Sequence, residues 1–124
     1  MLFRRAPQKV EELKIVIVGA GEVGFHIEQR LYEEQKQVVV IDQNPDKLRR
    51  IEDNMDVQTV LGSGSIPSVL KNAGAGDAAI FLAVTDSDET NIVACLFANT
   101  IAPKAMKLAR IRTEEYTAYP QLLG

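Results

Sequence analysis

The chain contains no tryptophan, a single cysteine and a single histidine in 124 residues, and only 6% of it is aromatic. With Cys95 alone, no intrachain disulfide can form, and a reducing cytosol suits the chain. His26 is the only histidine. A general base needs an orienting partner and a substrate pocket, and neither is visible around it, so His26 is expected on a solvated helix surface. No apolar run approaches the roughly 20 residues needed to cross a bilayer. Met1 to Pro7 carries two arginines with no apolar stretch behind them, which does not read as a signal peptide. An excess of positive charge is also missing: the net charge is −3, which argues against nucleic acid or an anionic membrane as the main partner. No cluster has the ligand types and spacing of a zinc or EF-hand site. Low-complexity segments and short repeats are absent as well.

What is present is organised around Lys14 to Asp42. Lys14-Ile15-Val16-Ile17-Val18 is a β-branched run of strand length, suited to a parallel strand buried on both faces. Gly19-Ala20-Gly21-Glu22-Val23-Gly24 comes next and reads G-x-G-x-x-G. Val23, Ile27 and Leu31 then fall at helical spacing on one face. Gln37 to Ile41 is a second β-branched strand, ending on Asp42. Gly19 permits a tight turn, Gly21 lets a pyrophosphate approach the backbone, and Gly24 lets the helix pack close to the strand. Free N–H groups and the positive dipole end of the helix hold phosphates. Asp42 stands near the roughly 20-residue spacing of a carboxylate that accepts ribose hydroxyls, and it would repel a 2′-phosphate. NAD(H) is therefore expected over NADP(H). Glu22 is a mild tension beside anionic phosphates, relieved if it points to solvent.

At this length one domain with a real core is expected. Residues 1–13 read as a polar arm. Asn44-Pro45 is a helix start, with Asn as N-cap and Pro at N1, and Leu48 and Ile51 give that helix its inner face. Val57 to Leu61 reads as a third strand, closed by Gly62-Ser63-Gly64-Ser65. A short helix runs from Ile66 to Asn72. Ala78 to Val84 is a fourth apolar strand, and Thr85 to Thr90 starts a long helix carrying Ile92, Val93, Leu96, Phe97 and Ile101. Lys104 to Ile111 is the fifth strand, and Thr113 begins a last capped helix.

Strands alternating with helices from 14 to 112 imply a doubly wound α/β domain: about five to six parallel strands, order 3-2-1-4-5, with helices on both faces. Ligands in such a sheet sit outside the carboxyl ends of the strands, at the switch between strands one and four. Four loops converge there: Gly19 to Gly24, Asp42 with Gln43, Gly62 to Ser65, and Val84 with Thr85 to Asp88. Ser63 and Ser65 either contact an adenine or cap the next helix. Thr85 and Asp86 either face the nicotinamide-side ribose or cap the long helix with Ser87. Arg110 and Arg112 either approach phosphates or lie on the surface. Cys95, mid-helix among apolar residues, reads as a small core or interface hydrophobe. Hydride transfer needs a second region to hold substrate, and none comes after the fifth strand, so sensing rather than catalysis is expected. The rivals are an oxidoreductase fragment and an assembly module with an empty site.

GAGEVG with VVVID, then VLGSGS, AVTDSDETNIVAC and LARIRTEEY, resembles the N-terminal lobe of the RCK domain, also called KTN or TrkA-N. Agreement runs in order from about Lys14 to Tyr116. The resemblance implies a Rossmann-like, cytosolic, non-enzymatic lobe of a Trk-type potassium-uptake regulator, peripheral to the membrane through its transporter partner. It implies NAD(H) as ligand, or ATP/ADP in some relatives. Gly19, Gly21 and Gly24 carry over as the phosphate loop and Asp42 as the ribose ligand. Ser63 and Ser65 match the adenine-side loop, although many members have an acidic residue at the position of Ser63. Thr85 and Asp86 match the loop facing the nicotinamide or terminal phosphates, and Arg110 a phosphate contact. Family members pair through these lobes as homodimers or gating rings. The helix from Ser87 to Thr100 and the tail after Thr113 are then the interface candidates. Residues 113–124 would open a crossover segment.

Overall fold

A computed structural model describes residues 13–118 of the chain. Five parallel strands form one sheet in the order β3-β2-β1-β4-β5, as the alternation of elements implies. In chain order these are β1 (Lys14–Val18), α1 (Glu22–Glu33), β2 (Gln37–Asp42), α2 (Pro45–Asn54) and β3 (Gln58–Leu61). After the switch come α3 (Pro67–Asn72), a 3₁₀ turn at Ala75–Asp77, β4 (Ile80–Ala83), α4 (Asp88–Ile101), β5 (Met106–Ala109) and α5 (Glu114–Thr117). The expected polar arm lies outside the described residues except for Leu13.

The β-branched runs go to the middle because a central parallel strand is covered on both faces. Ile15 to Val18 and Val38 to Ile41 are all buried. Their alternation builds two cores. Val16, Val18, Val39, Ile41, Phe81 and Ala83 pack with Leu70, Ala94 and Ala98 under α3 and α4. Ile15, Ile17, Val38 and Val40 pack with Phe25, Leu48, Ile51 and Met55 under α1 and α2. β1 pairs with β2 on one side and with β4 on the other.

β4 and β5 are shorter than the runs that encode them. β4 and β5 keep only the residues that find ladder partners, Ile80 to Ala83 against Met106 to Ala109. Single backbone bonds, Ala79 N–H to the Lys14 carbonyl and Arg110 N–H to the Ala83 carbonyl, continue the pairing past those ends. Asn44 caps α2 as expected, its side chain accepting from the Asp46 and Lys47 N–H groups.

Two helices turn a different face inward than their apolar spacing suggests. In α1 the buried positions are Gly24, Phe25 and Glu28, while Val23 is exposed and Ile27 and Leu31 are half-buried. In α4 the buried positions are Asp88, Asn91, Ala94 and Ala98, and Leu96 and Phe97 stand exposed at 57% and 39%. Alanines let α4 lie close on the sheet, so its largest apolar side chains are left pointing outward. Truncating the fully buried Leu70 to Ala should cost about 2–5 kcal/mol in urea unfolding. Leu61→Ala, on the exposed end of β3, should stay within about 0.5 kcal/mol in the same assay.

Candidate functional site

The crevice lies at the carboxyl ends of β1, β2 and β4, where the strand order reverses. Its main cavity encloses about 300 Å³ between Asp42 and Gln43, Asn44 and Lys47, Gly62 to Gly64, and Thr85 to Ser87. A second cleft, about 320 Å³, runs along Ala20 to Val23 towards Lys47, Arg50, Asp86 and Arg110. A narrow space of about 40 Å³, lined by Gly19, Val84 and Thr85 among others, lies between the turn and β4. The four loops singled out in the sequence therefore meet at one edge of the sheet.

The glycine-rich turn owes its shape to two tight approaches. Gly19 has φ 120°, and a side chain there would press within 3.0 Å of the Val84 carbonyl and the Thr85 N–H. A Cβ on Gly24 would collide with the Gly19 carbonyl oxygen, so only glycine lets α1 start so near β1. Gly21 differs. Its Cβ would meet only Lys47 Nζ, at 3.9 Å, an ordinary contact. Gly21 is also the N-cap of α1 and supplies no side-chain acceptor, so the first N–H groups of this twelve-residue helix face the cleft without a side-chain cap.

Asp42 is fixed in place by the backbone. Its Oδ2 accepts from the Ala20 N–H at 2.8 Å and its Oδ1 from the Asn44 N–H at 2.8 Å. Each oxygen keeps a second lone pair for a hydroxyl donor. Glu22 points away from the turn into an exposed ion pair with Arg50 at 2.7 Å, whose hydrogen bond and charge hold its carboxyl below the usual carboxylate range. Arg50 in turn lies over the Phe25 ring, 3.9 Å from its centroid.

Ser63 and Ser65 join through their hydroxyls at 2.8 Å, and the Ser65 N–H donates to Ser63 Oγ at 3.2 Å. Ser65 does not cap α3. Ile66 holds that position without a side-chain bond, because the two serines close on each other. Thr85 and Asp86 lie on the loop that leads into α4. The Thr85 hydroxyl donates to Asn91 Oδ1 at 2.7 Å and accepts from the Ser87 N–H at 3.1 Å, while Ser87 Oγ caps α4 by accepting from Thr90 N–H at 3.1 Å. The Asp86 carboxylate is exposed and faces Arg110 at 3.8 Å across the second cleft. Arg112 lies apart from it, in a cleft with Asp86 to Glu89 and Thr113, its guanidinium donating to the Asp86 carbonyl.

Four side chains take roles here that spacing did not assign. Lys47 lines both main cavities from the first turn of α2; its signal was a lysine three residues into the helix that Asn44 caps. Asn91 is fully buried, and its amide donates to the Thr85 and Arg110 carbonyls while its oxygen accepts from Thr85 N–H. Asp88 accepts from the Arg112 and Thr113 N–H groups at 3.0 and 2.8 Å; bonds from Thr113 and then Arg112 hold its carboxyl low. Glu28 is 0% exposed, and neither of its carboxyl oxygens finds a hydrogen-bond partner. Burial foremost, with the nearby Asp42 charge, pushes the Glu28 carboxyl up to about 9. His26 stands exposed beside Phe25, and burial pushes the half-buried Cys95 thiol up to about 11, as suits a small hydrophobe. No helix among the described residues is long and apolar enough to cross a membrane.

Glu28 sets a stability test with a definite sign. Its carboxyl titrates at about 9 when folded and near 4.5 when unfolded, so the folded state holds the extra proton between those values. Raising the pH through that window must therefore lower the stability of the wild type. Glu28→Gln should match the wild type at the acid end and become progressively more stable than it up to pH about 9, measured by urea unfolding. A constant difference across the window would contradict a neutral buried Glu28.

The chain is similar to known proteins over nearly its whole length. The TrkA-N domain model matches residues 15–124. The Trk system potassium uptake protein TrkA of Halomonas elongata is 41% identical over 104 residues, which are 84% of this chain and 23% of that protein. The chain thus spans about a quarter of that relative. Among solved structures, the TrkA-N domain of the inner membrane protein ybaL from Escherichia coli superposes with a TM-score of 0.81 at 20% identity, covering 90% of this chain and 82% of that one. The GsuK channel bound to NAD gives 0.78 at 21% identity, covering 91% of this chain and 20% of the channel. These two likenesses speak for the fold alone. With that family's model matched over nearly the whole chain, the protein belongs to the TrkA-N family.

Proposed function

We propose that the chain is a non-enzymatic regulatory lobe that binds NAD(H) in the crevice and controls a membrane potassium transporter from the cytosolic side. The observation that carries this reading is the uncapped start of α1 beside the open face of Gly21, with Asp42 and Lys47 on either hand. The pyrophosphate would lie along Gly19 to Gly24, near Lys47 and Arg110. Asp42 would accept from the adenosine ribose. Gln43, Gly62, Ser63, Gly64 and Ser65 would border the adenine, and Val84, Thr85 and Asp86 the distal half. Residues 14–112 would form this lobe, with a crossover segment opening at 113.

Support for the transport role comes from the relative, named as a potassium uptake protein, and support for the ligand from the GsuK channel bound to NAD. Lys47, Arg50 and Arg110 along the second cleft favour a second reading, ADP or ATP, whose terminal phosphates they would neutralise. A ligand regulates only if it binds two arrangements of paired lobes unequally. The outward Leu96 and Phe97 of α4 are the surface through which such homodimers or rings would form.

Calorimetric titration of the purified chain with NADH, NAD⁺, ATP and ADP tests the ligand. Saturable binding is expected, weakened by about 1–3 kcal/mol in Asp42→Ala. Gly21→Asp should abolish it while leaving the melting temperature nearly unchanged, since a Cβ there would meet no atom closer than Lys47 Nζ at 3.9 Å. Equal binding by wild type and Gly21→Asp would sink the assignment. Leu96→Glu with Phe97→Glu should shift light-scattering mass towards the monomer, and an unchanged mass would place the interface elsewhere.

A further inference from the structure

The nucleotide reading leaves one buried group without a role. Glu28 is carried on α1 one turn beyond Gly24, inside the face that closes on the sheet. Its Oε2 lies 3.2 Å from where a Cβ on Gly24 would stand, and the Gly19 carbonyl oxygen lies nearer still to that point. The carboxyl is therefore a close neighbour of the glycine-rich turn. Both oxygens are fully buried and lack donors. A buried acid without donors is expensive to ionise and comparatively cheap to keep neutral.

The charges around it do not offset ionisation. Between Ile15 and Ala20, β1 and the turn bring no titratable side chain to α1. β2 brings Asp42, an anion whose Oδ2 is held by the Ala20 N–H of the same turn. From α2 come Lys47, near Gly21, and Arg50, already committed to Glu22 and the Phe25 ring. On α1 itself, Glu22 is paired and His26 is exposed. An ionised Glu28 would thus place a second negative charge beside Asp42, beneath the backbone meant to hold phosphates, where little solvent screens it.

Building on the nucleotide reading, we propose that Glu28 is a proton-binding site coupled to the crevice: the turn holds anionic phosphates while this carboxyl is neutral and releases them when it ionises. By linkage, phosphate binding must then favour proton uptake at Glu28. The residue touches no ligand and acts through the turn, so it is a positioning residue. Its titration near 9 puts the release on the alkaline side.

The experiment is calorimetric titration of wild type and Glu28→Gln with NADH at pH values from about 7 to 10.5, in buffers of differing ionisation enthalpy. The wild type should lose affinity relative to Glu28→Gln by a factor approaching tenfold per pH unit above about 9, and should take up protons on binding there. Carbon-13 NMR of the Glu28 side chain should show its titration midpoint moving upward when NADH is bound. A merely structural acid would change melting temperature without moving that midpoint. Parallel affinity profiles for the two proteins, or an identical midpoint with and without NADH, would overturn the coupling alone. Failure of both proteins to bind NADH at any pH would overturn the coupling together with the NAD(H) reading.

Discussion

The close passage of Gly24 beneath the Gly19 carbonyl is the constraint on which the rest of the crevice depends. It brings the start of α1 against the end of β1, which turns the helix's first N–H groups towards the cleft rather than into solvent. It also fixes where Ala20 presents the N–H that orients Asp42. A single methyl group at position 24 would separate helix from strand and loosen all three features together. The cost of so close an approach appears one turn later, where Glu28 is buried with no donor in reach.

The opposite wall is held by a polar core instead of an apolar one. Asn91 ties the Thr85 backbone at the end of β4 to the Arg110 carbonyl just beyond β5, and Asp88 ties the start of α4 to Arg112 and Thr113. Both side chains lie on the inward face of α4, which otherwise meets the sheet through alanines. Saturated networks of this kind define one geometry, since each partner left unpaired in a dry setting is penalised. The Thr85 to Ser87 loop is consequently placed by α4 and β5 together, and Asp86 and Arg110 face each other across the cleft as a result.

Much of this was legible in the sequence, for identifiable reasons. β-branched runs at Lys14 to Val18 and Gln37 to Ile41 have one use in a domain of this size, and the glycine spacing between them demands a tight strand-to-helix turn. From those two facts the strand order and the meeting of the loops can be read. Side-chain roles within helices were less legible. Apolar spacing in α1 and α4 marks a stripe, but the surface that faces the sheet was decided by where small residues permit contact, at Gly24, Ala94 and Ala98. Hence Val23, Leu96 and Phe97 are turned out, and Glu28, Asp88 and Asn91 are turned in. Lys47 was hidden for another reason: its position depends on how α2 leans over the turn, a matter of tertiary packing. Ser65 departs from the capping role because a pair of neighbouring hydroxyls can satisfy each other before either reaches a helix.

The place of β1 in the sheet has a consequence for how the domain forms. Its two neighbours come from opposite halves of the chain: β2, reached through one helix, and β4, reached only after the whole first unit, α3 and the 3₁₀ turn. β1 therefore keeps one bare edge until the second half arrives. Closing that long loop costs entropy before its ladder repays it, which makes a central parallel strand a slow and late step. The two halves are thus not separable folding units, and the crevice, which straddles the β1–β4 seam, comes into being only when that pairing closes.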